Sequence, residues 1–281
     1  MKNLFRTMIM SWLFSACLVY LSSCSKKYVD PGPQLTGASK QFALAAKSNS
    51  GVSGTVTFAK RSDNATVITV QLTGTQAGGT HPAHIHANTA VEGGGILLDF
   101  TPVDGATGKS ETVAKALNDG TPVTYEDLLA FNGYVNVHAS SSDLGTLIAQ
   151  GDIGQNELTG VNKVYTLNPV SDPSISGTAT FAARKSGFTL ITLSLTGTTA
   201  GGDHPAHIHM NNASAGGAIV LDLANVNGAT GKSVKSVTQL NDGTAITYAQ
   251  LIVFNGYVNV HLSAASLGTL IAQGNIGSNA P

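Results

Sequence analysis

The chain has eight histidines among 281 residues, and every one falls in a motif that occurs twice. His81-Pro82-Ala83-His84-Ile85-His86 returns letter for letter as His204-Pro205-Ala206-His207-Ile208-His209, and Phe131-Asn132-Gly133-Tyr134-Val135-Asn136-Val137-His138 returns as Phe254 through His261. Imidazoles gathered in this way can hold a metal ion, form a buried hydrogen-bond network, or act on an organic ligand. In a strand, side chains at i and i+2 share a face, so His84 and His86 project together while Ile85 points the opposite way. The same alternation groups Tyr134, Asn136 and His138 and sends Val135 and Val137 to the core. Where the two strands meet, His138 joins the His84/His86 pair. His81, kept extended by the proline that follows it, stands at the strand entrance.

The metal reading takes His81, His84, His86 and His138 as one ligand set and His204, His207, His209 and His261 as the other, with Asn136 and Asn259 holding imidazole tautomers from behind. Imidazoles without thiolate or thioether suit zinc, copper, iron and nickel, and among divalent ions the Irving–Williams order favours copper. A blue-copper centre is excluded because it needs a cysteine. Met210 faces away from His209 and is Ala87 in the first copy, so it supplies no axial ligand. Copper or zinc, up to one ion per copy, is the expected cofactor. The competing reading is a satisfied network of neutral histidines and asparagines that sets strand register.

These motifs are carried by a duplication. An offset of 123 residues holds without a gap from Lys40/Lys163 to Ile153/Ile276, and self-similarity at a domain-sized period means two copies of one domain. Boundaries of 38–158 and 161–281 follow. Within a copy, Thr66 to Leu72 alternates, with Ile68, Val70 and Leu72 on one face, and Ile191, Leu193 and Leu195 keep the pattern. Further strands are expected at 53–59, 83–87, 95–100, 111–117, 133–139 and 145–153. Thr124 with Asp127, and Thr247 with Gln250, read as capping boxes for one short helix per copy, the second being the better box. Short, evenly spaced strands with turns such as Asp104-Gly105 and Asn227-Gly228 imply an all-β sandwich or barrel.

Composition narrows the function. Net charge is −1 and only 11% of residues are charged. The basic residues are scattered, without interleaved aromatics, so no nucleic-acid partner is expected. Gly105-Ala106-Thr107-Gly108-Lys109-Ser110 ends like a phosphate-binding loop but lacks its first glycine and reads as a hairpin connection. Asp99/Asp222 and Asp119/Asp242 recur without forming an acid/base pair.

Lys2 and Arg6 precede an apolar run from Met8 to Tyr20, and Leu21-Ser22-Ser23-Cys24 follows. This reads as a signal peptide over residues 1–24. Residues 25–37, polar and containing two prolines, read as a flexible tether. Both cysteines fall in the first 24 residues, so no structural disulfide is expected.

Leu-Ser-Ser-Cys resembles the lipobox of bacterial lipoproteins, which implies lipidation at Cys24 and a cell-envelope protein tied to a membrane. HPAHIH followed by GYVNVH and a later glutamine resembles the CHRD (chordin-type) domain family. That resemblance implies a Greek-key or Ig-like β-sandwich for each copy and points to His84, His86, Tyr134, Asn136, His138, Gly145 and Gln150, with His207, His209, Tyr257, Asn259, His261, Gly268 and Gln273 in the second. The family's glycine after His-x-His is Asn88 and Asn211 here, and asparagine tolerates the left-handed backbone such a turn needs. Its Arg-Gly before the glutamine is Ile148-Ala149 and Ile271-Ala272. More locally, His-x-His and the later Val-His are similar to the copper-ligand segments of copper/zinc superoxide dismutase, which favours copper. The guiding arginine of that enzyme has no counterpart, and no reaction is carried over. The expectation is an envelope lipoprotein with two CHRD-like domains, each binding copper or zinc. The alternative is a non-enzymatic interaction or adhesion module with structural histidines, its protein or glycan partner open.

Overall fold

The computed structural model describes residues 30–281. The signal peptide, Cys24 and the first part of the tether lie outside the described residues. The first repeat consists of β1 (Leu35–Ala46), β2 (Ser53–Arg61), β3 (Thr66–Thr73), β4 (Thr80–His81), β5 (Ala83–Ala87), β6 (Ile96–Asp99), β7 (Val103–Asp104), β8 (Lys109–Ala114), α1 (Tyr125–Ala130), β9 (Asn132–Ser140) and β10 (Asp143–Gly154). Hydrogen bonding orders the strands β4-β7-β8-β3-β2-β1-β10-β9-β5-β6. The second repeat runs from Leu158–Pro169 to Leu270–Gly277 in the same order, with α2 at Tyr248–Leu251.

Two corners turn each ten-stranded antiparallel sheet into a sandwich. β1 pairs with β2 from Leu35 to Leu44 and then switches to β10 at Ala45 and Ala46. On the other side Pro82 separates β4, in the first leaf, from β5, in the second; lacking an N–H, proline suits a residue that leaves one ladder for another. Between the leaves lie Phe42, Leu44, Val56, Phe58, Ile68 and Val70 from one side and Ile85, Val135, Val137, Ala149 and Ile153 from the other. The faces expected for Ile85, Val135 and Val137 are those observed, each residue being 0% exposed.

The structure departs from the sequence reading at β1. It begins at Leu35, inside the stretch read as tether, and only Phe42 and Leu44 along it point inward, so its alternation is too short to stand out. The two-residue strands β4 and β7 had no signal of their own. β8 ends at Ala114, short of the expected 117, and Ala116 instead forms an isolated bridge with Pro122. Both capping boxes form: Thr124 with Asp127 and Thr247 with Gln250. The Gln250 box nonetheless starts the shorter helix, four residues against six.

Both repeats lie within one compact unit, Pro33–Pro281. Across their junction Arg184 Nη1 lies 2.7 Å from Asp152 Oδ2, and Glu157 takes Lys40 at 2.7 Å and Lys185 at 2.6 Å. Among the described residues no helix is long and apolar enough to cross a membrane.

Candidate metal centre

The outer face of the second leaf carries the histidines. β5 lies beside β9 with His84 opposite Asn136 and His86 opposite Tyr134, and β6 places Asp99 opposite His84. Since His84 and His86 leave β5 on the face away from Ile85, they meet His138 from β9, and one nitrogen from each of the three lies within 4.8 Å of the others. His207, His209 and His261 form the same group. His84 Nδ1 is 3.2 Å from His138 Nε2, and His207 Nδ1 is 3.1 Å from His261 Nε2. The independent repetition of this geometry makes it a property of the motif.

Backbone carbonyls decide which nitrogens are available. His86 Nδ1 donates to Gly94 O at 3.0 Å and His138 Nδ1 to Leu144 O at 2.7 Å. A carbonyl only accepts, so each ring carries its proton on Nδ1 and presents the Nε2 lone pair to the group. His86 Nε2 is buried with no partner, and so is His209 Nε2. Stacking on Tyr134, 4.9 Å between centroids and 18° between planes, fixes the His86 ring.

His84 is the adaptable member. It donates from Nδ1 to His138 Nε2, while its Nε2 faces Asp99 Oδ1 at 3.6 Å. If its proton moves to Nε2, then Nδ1 joins the two Nε2 atoms as a third lone pair, and the N–H points at a carboxylate. Burial pushes the His84 and His138 imidazoles below the ordinary histidine value, and the neighbouring imidazoles push the same way. Both are therefore neutral near pH 7, the form that ligates metal. His207 and His261 are shifted in the same direction, first by burial.

A divalent ion fits this donor set. With metal–nitrogen distances of about 2.0–2.1 Å, two imidazole nitrogens on one ion stand about 3–4 Å apart, so the closest pair is already placed, and the third nitrogen lies within 4.8 Å of both. Gly94 O, Leu144 O and Asp99 give each ring an acceptor for its other nitrogen, the arrangement that orients ligating histidines.

His81 and His204 are not brought into these groups. His81 Nδ1 donates to the carbonyls of His138 and Ala139 at 3.2 and 2.9 Å, tying β4 to β9 behind the site, and His204 Nδ1 bonds Leu262 O at 2.8 Å. Asn136 and Asn259 also do something other than hold imidazole tautomers: their Oδ1 atoms accept from Gln150 and Gln273 Nε2 at 2.9 and 2.8 Å. The tautomers are set by backbone carbonyls instead. Asn88 and Asn211 do adopt the left-handed backbone, at φ 66° and 67°, and so open the loop that returns Gly94 and Gly217 to the site.

No curated protein and no solved structure matches the chain. Residues 34–147 match the model of the CHRD domain family, a span that holds all four histidines of the first repeat.

Proposed function

We propose that the protein is a lipid-anchored protein of the bacterial cell envelope that binds one copper or zinc ion in each of two CHRD-like domains. The observation that carries this reading is the buried, unpartnered Nε2 of His86, repeated at His209, in a group whose other members already face it. A purely structural network is expected to satisfy its buried nitrogens, and this one leaves His86 and His209 Nε2 unmet; His81 and His204 Nε2 are also buried without a partner, but they lie outside the three-nitrogen groups. The ligand chemistry admits either metal, and the local likeness to copper ligands favours copper. Three protein ligands leave a coordination position open, and His84, 12% exposed, forms the accessible side. Metal capture or transfer suits such a site. The Leu-Ser-Ser-Cys sequence supports anchoring through Cys24.

The test is titration of the metal-stripped full chain in detergent with copper(II) and with zinc(II). Two tight equivalents are expected, falling to one when His84, His86 and His138 are all replaced by alanine. An unchanged stoichiometry overturns the proposal. The hydrogen bond from His84 to His138 favours the rival reading of an interaction module with structural histidines; that reading requires the triple variant to lose as much melting temperature in chelator as in metal. Release of a Cys24→Ser variant from the membrane fraction tests the anchor.

A further inference from the structure

Arg61 and Arg184 occupy the same place in the two repeats but have different surroundings. Arg61 donates from Nε and Nη2 to the two carboxylate oxygens of Asp63, at 2.7 and 2.8 Å, and Lys115 Nζ lies 2.8 Å from the same carboxylate. At the corresponding positions of the second repeat Ser186 replaces Asp63 and Thr238 replaces Lys115. Arg184 turns Nη1 to Asp152 Oδ2, at 2.7 Å, and to the Asn156 carbonyl. Its Nε and Nη2, the two atoms that Asp63 holds in the first repeat, are buried without a partner. The side chain is 1% exposed. A guanidinium edge with two parallel N–H groups matches the two oxygens of a carboxylate, and donors left unmet in the interior are destabilising.

Arg184 lines a cleft of about 200 Å³ at the junction of the repeats, together with Ser186, Phe188, Ser236 and Thr238 from the second and Asn88 and Thr89 from the first. We propose that this cleft binds a small carboxylate anion, which takes on the Nε/Nη2 edge of Arg184 the place that Asp63 takes on Arg61. Asp152 already balances the arginine's formal charge, so recognition rests on the paired N–H donors and on the surrounding hydroxyls. Phe188 stands where the first repeat has Ala65 and supplies an apolar wall for the carbon end of the ligand. Concave sites with a few convergent polar groups favour such domain junctions. Glu92, whose Oε2 accepts from Thr89 at 2.9 Å, is the acidic residue among those that line the cleft and is the internal competitor.

The experiment titrates the full chain in detergent with sodium acetate at constant ionic strength and follows the backbone amide shifts of Ser236 and Thr238. One saturable binding event is expected. It weakens at least tenfold in Arg184→Lys, which keeps the charge but loses the fork, and disappears in Ser186→Asp, which builds the carboxylate in and melts no lower than the parent. Binding persists in Glu92→Gln, and acetamide gives no saturable response. The proposal is overturned if acetate produces no saturable shift in the parent, if acetamide binds as well, if Ser186→Asp binds acetate undiminished, or if binding emerges only in Glu92→Gln, in which case Glu92 is the occupant. None of these outcomes depends on metal at the histidines.

Discussion

Asp99 faces His84 across the β5–β6 ladder with its Oδ1 3.6 Å from Nε2, and Asp222 faces His207 at 3.8 Å. The pair has one role in the metal-free chain and another in the loaded one: His84 donates a hydrogen bond from Nδ1–H to His138 Nε2 when no ion is bound and needs a partner for an Nε2 proton when one is. Replacing Asp99 by asparagine is therefore expected to weaken the first site by about tenfold, the lower end of the effect of such partners, because the carboxylate is largely exposed. The melting temperature in chelator should stay unchanged. Competition titration against a chelator of known affinity measures the first, and an unchanged affinity refutes the relay.

His81 has a different task from its neighbours, and the difference is measurable. Its ring clamps the carbonyls of His138 and Ala139 and lies outside the three-nitrogen group. His81→Ala should retain two metal equivalents per chain while losing about 1–3 kcal/mol of stability, from the missing hydrogen bonds and the space left behind. Loss of one equivalent in a variant that still folds would return His81 to the ligand set.

The convergence of His84, His86 and His138 was legible because alternation along β5 and β9 fixes the faces, and each strand has apolar residues that choose the inner one. Asp99 was not legible as a partner of His84. Its position depends on the register of β6 against β5, which is set by the turn from Asn88 to Gly95 and by the irregularity between Ile85 and His86. The acceptors at Gly94 and Leu144 are backbone atoms, which leave no side-chain signature. For Asn136, knowing the face was not enough: the strand on its other side brings Gln150 within reach and takes its oxygen. The Arg184 edge was visible only by comparison, since Ser186 is unremarkable until Asp63 is seen in its place.

Glu157 links the repeats through Lys40 and Lys185. Burial pushes its carboxyl up, but the hydrogen-bonded ammonium groups of Lys185 and Lys40 outweigh this and hold it below its ordinary value. A folded-state pKa below the unfolded one contributes stability above the unfolded value, about 4.3, and that contribution is lost as pH falls through the folded value. Glu157→Gln should therefore be less stable than the parent at pH 7, by about 1 kcal/mol, and the gap should narrow below about pH 4. Denaturant titrations at the two pH values check this; a gap independent of pH counts against the linkage.

Gly94 offers a test of the backbone acceptors with a control inside the same molecule. Its carbonyl orients His86, and a Cβ added there would collide with the Ala87 carbonyl, lying 2.8 Å from its carbon. That obstacle is backbone at the end of β5, so Gly94→Ala must displace the turn that delivers the carbonyl. His86 Nδ1 then loses its acceptor, the preference for the Nδ1–H tautomer weakens, and the lone pair at Nε2 is no longer held ready for an ion. Gly217 performs the same service for His209, at 2.9 Å, in a repeat the substitution does not touch. Titration of Gly94→Ala should accordingly resolve one equivalent of parental affinity and one weakened by about tenfold or more, and Gly217→Ala should give the mirror result. Two equivalents of undiminished affinity in both variants would mean that ring orientation comes from the Tyr134 and Tyr257 stacks alone.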